Sequence, residues 1–159
     1  MKKCLVLCVA VAVLIVASSA MLNAECTKDE VMGAVNYATD LLEKEGQAAF
    51  AELDKFRFCG GEGYVFIYDM NAVCLFHPIS AVLVGKDQTM IQDARGNYLV
   101  AEMNSKAKDP GYGWVLYYWL NPVTNTVDPK CTYVKRCKMD GRDVWVASGV
   151  YGISAEECK

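Results

Sequence analysis

The 159-residue chain is 53% hydrophobic and 22% charged, enough apolar matter for one domain with a core and too little length for two. Its formal charge of −3, with no basic block, argues against nucleic acid as a partner. A single histidine and the lack of any Cys-x-x-Cys leave structural zinc, haem attachment and thioredoxin-type exchange without support, so neither a metal nor a cofactor is expected.

In chain order, Met1-Lys2-Lys3 is a short basic start, residues 5–17 are an unbroken apolar run, and residues 18–24 are rich in small side chains. This is the layout of a signal peptide, with Ala20 and Ala24 both usable before the cut. Residues 1–24 are therefore read as a leader and residues 25–159 as one domain, secreted or periplasmic. A membrane span needs roughly 20 apolar residues, which makes a retained anchor the weaker reading. Removing the leader takes away two lysines and no acid, so the charge becomes more negative. It also removes Cys4 and Cys8 and leaves Cys26, Cys59, Cys74, Cys131, Cys137 and Cys158, an even set that suggests disulfides.

Thr27-Lys28-Asp29-Glu30 has the form of a capping box, and Val31, Val35, Ala38 and Leu42 follow at helical spacing. Glu45-Gly46 interrupts this helix, and residues 47–55 resume as a shorter one carrying Phe50 and Leu53. After Cys59-Gly60-Gly61 the apolar pattern changes from helical to alternating. Strands are predicted over residues 64–69 and 73–77, the second stopped by Pro78, which cannot donate to a ladder. Residues 78–109 are a mixed insert with a turn at Asp93-Ala94-Arg95-Gly96 and an amphipathic helix near residues 98–107. "DPGYG" leads into a third strand over residues 114–120, and "NPVTNTVDP" (121–129) reads as a turn-rich loop. Strands over residues 130–138 and 143–151 flank the Asp140-Gly141 hairpin signal. The plan is α+β: the first helix covers one face of a single sheet, and the insert is left to cover the other. A loop-rich cover is where a pocket can form.

The segments "GYVFIYDMNAVCLFHP", "LVGKD", "QDARGNYLVAEM", "GYGWVLYYWLNP", "DPKCTYVK" and "VASGVYG" resemble, in this order and spacing, the successive parts of a single Cache domain. That module is the extracytoplasmic sensor of bacterial chemoreceptors and histidine kinases, and it also occurs as a stand-alone secreted protein. The likeness runs from about Glu25 to Gly152. It implies a PAS-like five-stranded antiparallel sheet in spatial order 2-1-5-4-3, with the long N-terminal helix on one face and the insert over the other. It also implies a small-molecule pocket under the insert, for ligands of the acetate, propionate, pyruvate or lactate class, bound without catalysis. Receptors of this family continue into a second membrane helix, whereas here the chain stops at Lys159. A separate membrane receptor or kinase is therefore an expected partner, and a homodimer is left open.

Side chains alternate along a strand. Val65 and Ile67 suit the Val31/Val35/Leu42 stripe, which leaves Tyr64, Phe66 and Tyr68 for the pocket. The family pattern turns Tyr117 and Trp119 inward, and the small Gly149, in line with Tyr151, makes room on the fifth strand. A carboxylate buried without donors is costly. Lys130, whose Pro-Lys context matches the family, is the candidate charge partner, with a solvated strand-end lysine as the alternative. His77 is either a donor at the mouth of the cavity or a cap that holds the turn. Asp69 and Asp93 read as turn residues, and Lys86 and Arg95 as surface charges. In the family plan the two ends of the domain meet, which pairs Cys26 with Cys158 and, at another edge, Cys59 with Cys137. Cys74 and Cys131 fall two strands apart, too far to bridge. A hydrolase would need His77 beside Ser80 or Ser148, and no Gly-x-Ser-x-Gly elbow is present, so the chain is read as a binding module and not an enzyme. The competing reading is a structural or partner-binding domain whose pocket is filled by its own Trp145, Tyr117 and Trp119.

Overall fold

Thr27 starts the first helix as its sequence requires. In the computed structural model, which describes residues 26–158, the Thr27 hydroxyl accepts from Glu30 N–H at 3.2 Å. The Glu30 carboxylate in turn accepts from Thr27 N–H at 2.8 Å, closing the capping box. The expected leader and its cleavage site lie outside the described residues. Helix α1 (Lys28–Glu45) buries Val31, Ala34, Val35, Ala38 and Leu42 along one stripe. It ends at Gly46, where φ is +60° and a β-carbon would stand 1.9 Å from Asp140 Oδ1. Only glycine meets both conditions. The Asp140 carboxylate uses the space to accept from Gln47 N–H at 3.1 Å. The second helical stretch is shorter than predicted: a 3-10 turn (Gly46–Ala49) and then α2 (Phe50–Leu53).

The strands are β1 (Phe66–Asp69), β2 (Cys74–Phe76), β3 (Tyr112–Asn121), β4 (Thr126–Met139) and β5 (Arg142–Tyr151). They form one sheet in the order β2-β1-β5-β4-β3, and every neighbouring pair is antiparallel. This is the PAS-like plan. Met139 pairs with Arg142 across a two-residue Asp140-Gly141 turn, both of positive φ, as an Asp-Gly hairpin demands. The stretch 121–129 departs from the predicted loop. Asn121 pairs with Thr126, so the loop shrinks to residues 122–125 and β4 starts early. Pro129 is tolerated inside this strand. It pairs with Tyr118 of β3 at a point beyond the last β4–β5 pair, Lys130 with Tyr151, so only one side of the strand is in a ladder there.

Strand parity sorts the two faces as expected. Val65, Ile67, Val144 and Val146 pack with the α1 stripe. Phe66, Tyr68, Val115, Tyr117, Trp145 and Ala147 face the other way, beneath α3 (Leu99–Lys108), which supplies Leu99, Val100, Met103 and Ala107. The insert before α3 clips both edges of the sheet. At β2, Cys74 N–H donates to Lys86 C=O (3.1 Å) and Gly85 N–H donates to Cys74 C=O (2.8 Å). At β3, Tyr118 N–H donates to the Asp93 carboxylate (3.0 Å), and Ala94 N–H donates to Tyr118 C=O (3.1 Å). The insert thus occupies backbone groups that edge strands otherwise leave open, and it spans the sheet from side to side.

The disulfides correct the predicted pairing. Cys26 bonds Cys59 (Cα–Cα 5.2 Å) and Cys131 bonds Cys158 (5.7 Å), while Cys74 and Cys137 are buried free thiols. The two ends of the described residues do meet, since Lys28 Nζ donates to Glu157 C=O. Each terminal cysteine nevertheless finds a nearer partner than the other. Cys137 lies six residues along β4 from Cys131, roughly 20 Å at strand rise. That places it toward the Asp140 turn and the far end of α1, out of reach of Cys59. Cys74 and Cys137 sit on opposite faces of the sheet and cannot bridge.

Candidate functional site

Between the sheet and the insert lies a cavity of about 90 Å³. A water takes up roughly 30 Å³ of liquid, so the space suits a few heavy atoms and not a drug-sized ligand, for which pockets run from about 300 Å³. Seven of the nine predicted site residues line it: Tyr64, Phe66, Tyr68, His77, Tyr117, Trp119 and Lys130. Gly149 and Tyr151 do not reach the wall. They act on Lys130 instead. A β-carbon at Gly149 would lie 1.9 Å from Thr132 Oγ1 and 3.2 Å from Lys130 Cε, so glycine gives the lysine stem its bed. The Tyr151 ring sits 4.9 Å from Lys130 Nζ, and its own hydroxyl donates to Leu120 C=O at 2.8 Å.

Lys130 is only 6% exposed. Among the described residues neither a carboxylate nor any other hydrogen-bond partner pairs with its ammonium, which meets only the faces of Tyr151 and, at 5.6 Å, Tyr64. Burial pushes its pKa down from 10.5 to about 8, so it is still largely a cation at neutral pH. A buried charge in this position is normally paired.

Of its two predicted roles, His77 takes that of the cap. Its Nδ1 accepts from Ser80 N–H (3.0 Å) and Ile79 N–H (3.3 Å), which caps the turn at Pro78. An Nδ1 that accepts twice carries no proton, so the neutral ring has its proton on Nε2. Burial, and then the charge of Lys130, press its pKa down from 6.5 to about 4. The ring is therefore neutral, stacked on Phe66 (centroids 5.6 Å apart, planes 15° apart). Thr132 Oγ1 donates to the Tyr117 hydroxyl at 3.1 Å, which leaves the Tyr117 O–H to donate elsewhere. Burial raises the pKa of Tyr64 and Tyr117 alike, so both phenols stay protonated. This end of the cavity presents donors: one ammonium, one imidazole N–H and two phenols. It has no carboxylate. An acceptor-only group such as a carboxylate fits that set.

The remaining predicted polar residues are structural. The Asp69 carboxylate accepts from Asn71 and Val73 N–H, both at 2.9 Å. Burial works against ionisation of Asp93, but the N–H groups of Asn97, Tyr118 and Arg95 outweigh it and hold the pKa low. Lys86 and Arg95 are exposed, the latter stacked on Tyr118. Ser148 donates its hydroxyl to Tyr64 C=O at 2.6 Å. The sequence reading missed the wall opposite the sheet: Leu83, Ile91, Leu99, Val100 and Met103. Its signal was available, because Leu99, Val100, Met103 and Ala107 form a helical stripe. Also missed was Asn104, which accepts from Trp145 Nε1 (3.0 Å) and donates to Met70 C=O (3.1 Å), locking α3 over the sheet.

A family model described as Single Cache domain 2 matches residues 30–154. The sensor histidine kinase MctS of Rhizobium johnstonii is 30% identical over 92 residues, which cover 58% of this chain and 19% of the kinase. The chain thus spans about a fifth of that relative. Among solved structures, a periplasmic sensor domain of a chemotaxis protein is similar at 25% identity with a TM-score of 0.69, covering 79% of this chain and 94% of that one. A Cache chemosensory domain described for its carboxylic acid recognition is similar at 28% identity and TM-score 0.67, covering 79% of this chain and 92% of its own.

Proposed function

The chain belongs to the single Cache domain family of extracytoplasmic sensor modules, and from that premise we propose that it binds a small organic acid through Lys130 and performs no chemistry on it. The observation that carries this reading is the unpaired, buried Lys130 ammonium at the wall of a cavity otherwise lined by aromatic, aliphatic and donor groups. An anion of the acetate, propionate, pyruvate or lactate class supplies the missing counter-charge. Its oxygens take the Nε2–H of His77 and the O–H groups of Tyr64 and Tyr117. That a similar sensor domain is described for carboxylic acid recognition supports the same ligand class.

On this reading residues 1–24 are a cleaved signal peptide, the domain works outside the cytoplasm, and its ligand state is read by a membrane receptor or kinase. Two disulfides suit an oxidising compartment. The mass of the N-terminal peptide of the purified secreted protein tests the cleavage.

Thermal shift and calorimetry against acids of two to four carbons test the ligand class. A ligand at a hundred times its Kd stabilises by about 2.7 kcal/mol, several degrees for a domain of this size. Lys130→Gln should abolish the shift. If no acid shifts the unaltered protein, the binding reading fails, and the cavity is a packing remnant in a structural or partner-binding domain.

A further inference from the structure

We propose that Lys130 captures small carbonyl ligands, 2-oxo acids first among them, as a reversible Schiff base on its side-chain nitrogen, with the Tyr117 phenol as proton donor to the carbonyl oxygen. This rests on the reading of Lys130 as the acid's partner and goes beyond it, since the ligand is held by a covalent bond and returns unchanged when that bond hydrolyses. The sheet register supplies the geometry. Lys130 pairs with Tyr117 across β3 and β4 and with Tyr151 across β4 and β5, so its stem lies between two tyrosines of one cross-strand row. Neighbours of this kind have β-carbons roughly 5 Å apart. The Tyr64 ring adds a third wall, its centre 5.6 Å from Nζ.

A lysine condenses with a carbonyl when its amine sheds its proton and is not tied up in a salt bridge, which is what an apolar pocket promotes. Among the described residues Lys130 is the one buried lysine, no carboxylate or hydrogen-bond acceptor pairs with its nitrogen, and no carboxylate lines the cavity. Burial supports the same behaviour: with a pKa of about 8, roughly a tenth of the group is free amine at pH 7, against about 0.03% for an ordinary lysine. The step balances without a co-reactant. The nitrogen lone pair attacks the carbonyl carbon, a C–N bond forms, and the oxygen takes a proton. The C–O bond then breaks, and the oxygen leaves as water with the two protons that an ammonium gives up on becoming an iminium. The iminium keeps the single positive charge, so the carboxylate of a 2-oxo acid keeps its counter-ion. Tyr117 suits the proton transfer because its hydroxyl accepts from Thr132 Oγ1 at 3.1 Å, which leaves its own proton to donate, and burial holds the phenol protonated. A cavity of about 90 Å³ limits the ligand to a few heavy atoms, the size of glyoxylate or pyruvate.

The test is reductive trapping. The purified protein is incubated at pH 7 with pyruvate or glyoxylate and cyanoborohydride, which fixes an iminium as a stable amine, and its peptides are weighed. Lys130 should carry the adduct at least about tenfold over any exposed lysine, which serves as the internal reference. Excess acetate should suppress the label. Calorimetry adds a second readout: pyruvate should bind at least about tenfold more tightly than propionate, which lacks the keto oxygen, and Lys130→Arg, which keeps the charge and cannot condense, should erase that preference. Should Lys130→Arg fail to fold, the peptide masses of the unaltered protein still decide. Pyruvate that binds in calorimetry yet labels Lys130 no more than the exposed lysines would overturn the Schiff base and leave the carboxylate reading standing. Label on Lys130 that acetate does not suppress would keep the Schiff base and count against the carboxylate reading. Neither label nor binding by any acid overturns both.

Discussion

Lys130 Nζ stands 4.9 Å from the centre of the Tyr151 ring and has no carboxylate beside it among the described residues. Aromatic faces offset part of the cost of burying a cation, on the order of 1 to 2 kcal/mol, but they do not replace a counter-ion. The unliganded domain therefore holds a charge at a loss.

That loss has a pH signature. The folded-state pKa of Lys130, about 8, lies below its ordinary 10.5, so between these values the unfolded chain keeps the proton that the folded one has released. Stability then rises with pH, by about 2 kcal/mol from pH 8 to 10 from this group. Urea titrations should show the rise in the unliganded protein and not in Lys130→Met, which should also be more stable at pH 7. A bound anion needs the ammonium, so affinity should hold below pH 8 and fall about tenfold per pH unit above it. A flat binding profile from pH 7 to 10 would remove Lys130 from the site.

His77→Asn separates the two jobs of the imidazole. An asparagine Oδ1 can accept from the N–H groups two and three residues on, as Nδ1 does, so the turn should survive. The Nε2–H is lost, and ligand affinity should fall about tenfold, one neutral-donor hydrogen bond to a carboxylate. The histidine is pressed from 6.5 down to about 4, so the unfolded chain protonates first as the pH falls through that window. The domain should lose stability from pH 6.5 to 4, and His77→Asn should flatten that part of the curve.

Gly149 supports the cavity wall through its close approach to Thr132 and Lys130. Gly149→Ala must displace Thr132 Oγ1, 1.9 Å from the new carbon, and with it the bond that orients Tyr117. Overpacking of this kind costs about 1 to 3 kcal/mol. Thr132→Ala in the same chain should restore most of the stability while leaving binding weak, because the Tyr117 hydroxyl stays unanchored. Additive losses in the double-mutant cycle would contradict the contact.

The disulfides predict a thiol pattern. Unreduced peptide mapping should join Cys26 to Cys59 and Cys131 to Cys158, with Cys74 and Cys137 alkylated only after denaturation. The second bond closes a span of 27 residues, and Cys131→Ser with Cys158→Ser should cost about 3 to 4 kcal/mol in the chain-entropy model. A Cys26–Cys158 link would refute the arrangement.

Local rules made much of this molecule legible in its residues. A hydroxyl three positions before a carboxylate opens α1, Asp140-Gly141 turns the last hairpin, and parity alone sends Val65 and Ile67 to one face and Phe66 and Tyr68 to the other. These depend on spacings of a few residues, and a sequence carries them directly. The cysteine pairing, the α3 wall of the cavity and the missing partner of Lys130 depend on which distant segments come within a few ångströms. Cys131 and Cys137 have the same parity on the same strand, and only the return of residues 154–158 over the start of α1 selects the first. Lys130 follows Pro129, and its local sequence leaves open both a pocket cation and a solvated strand end. What buries it is the closing of β5, Gly149 and the Tyr64 and Tyr151 rings around it, a long-range enclosure that no local pattern encodes.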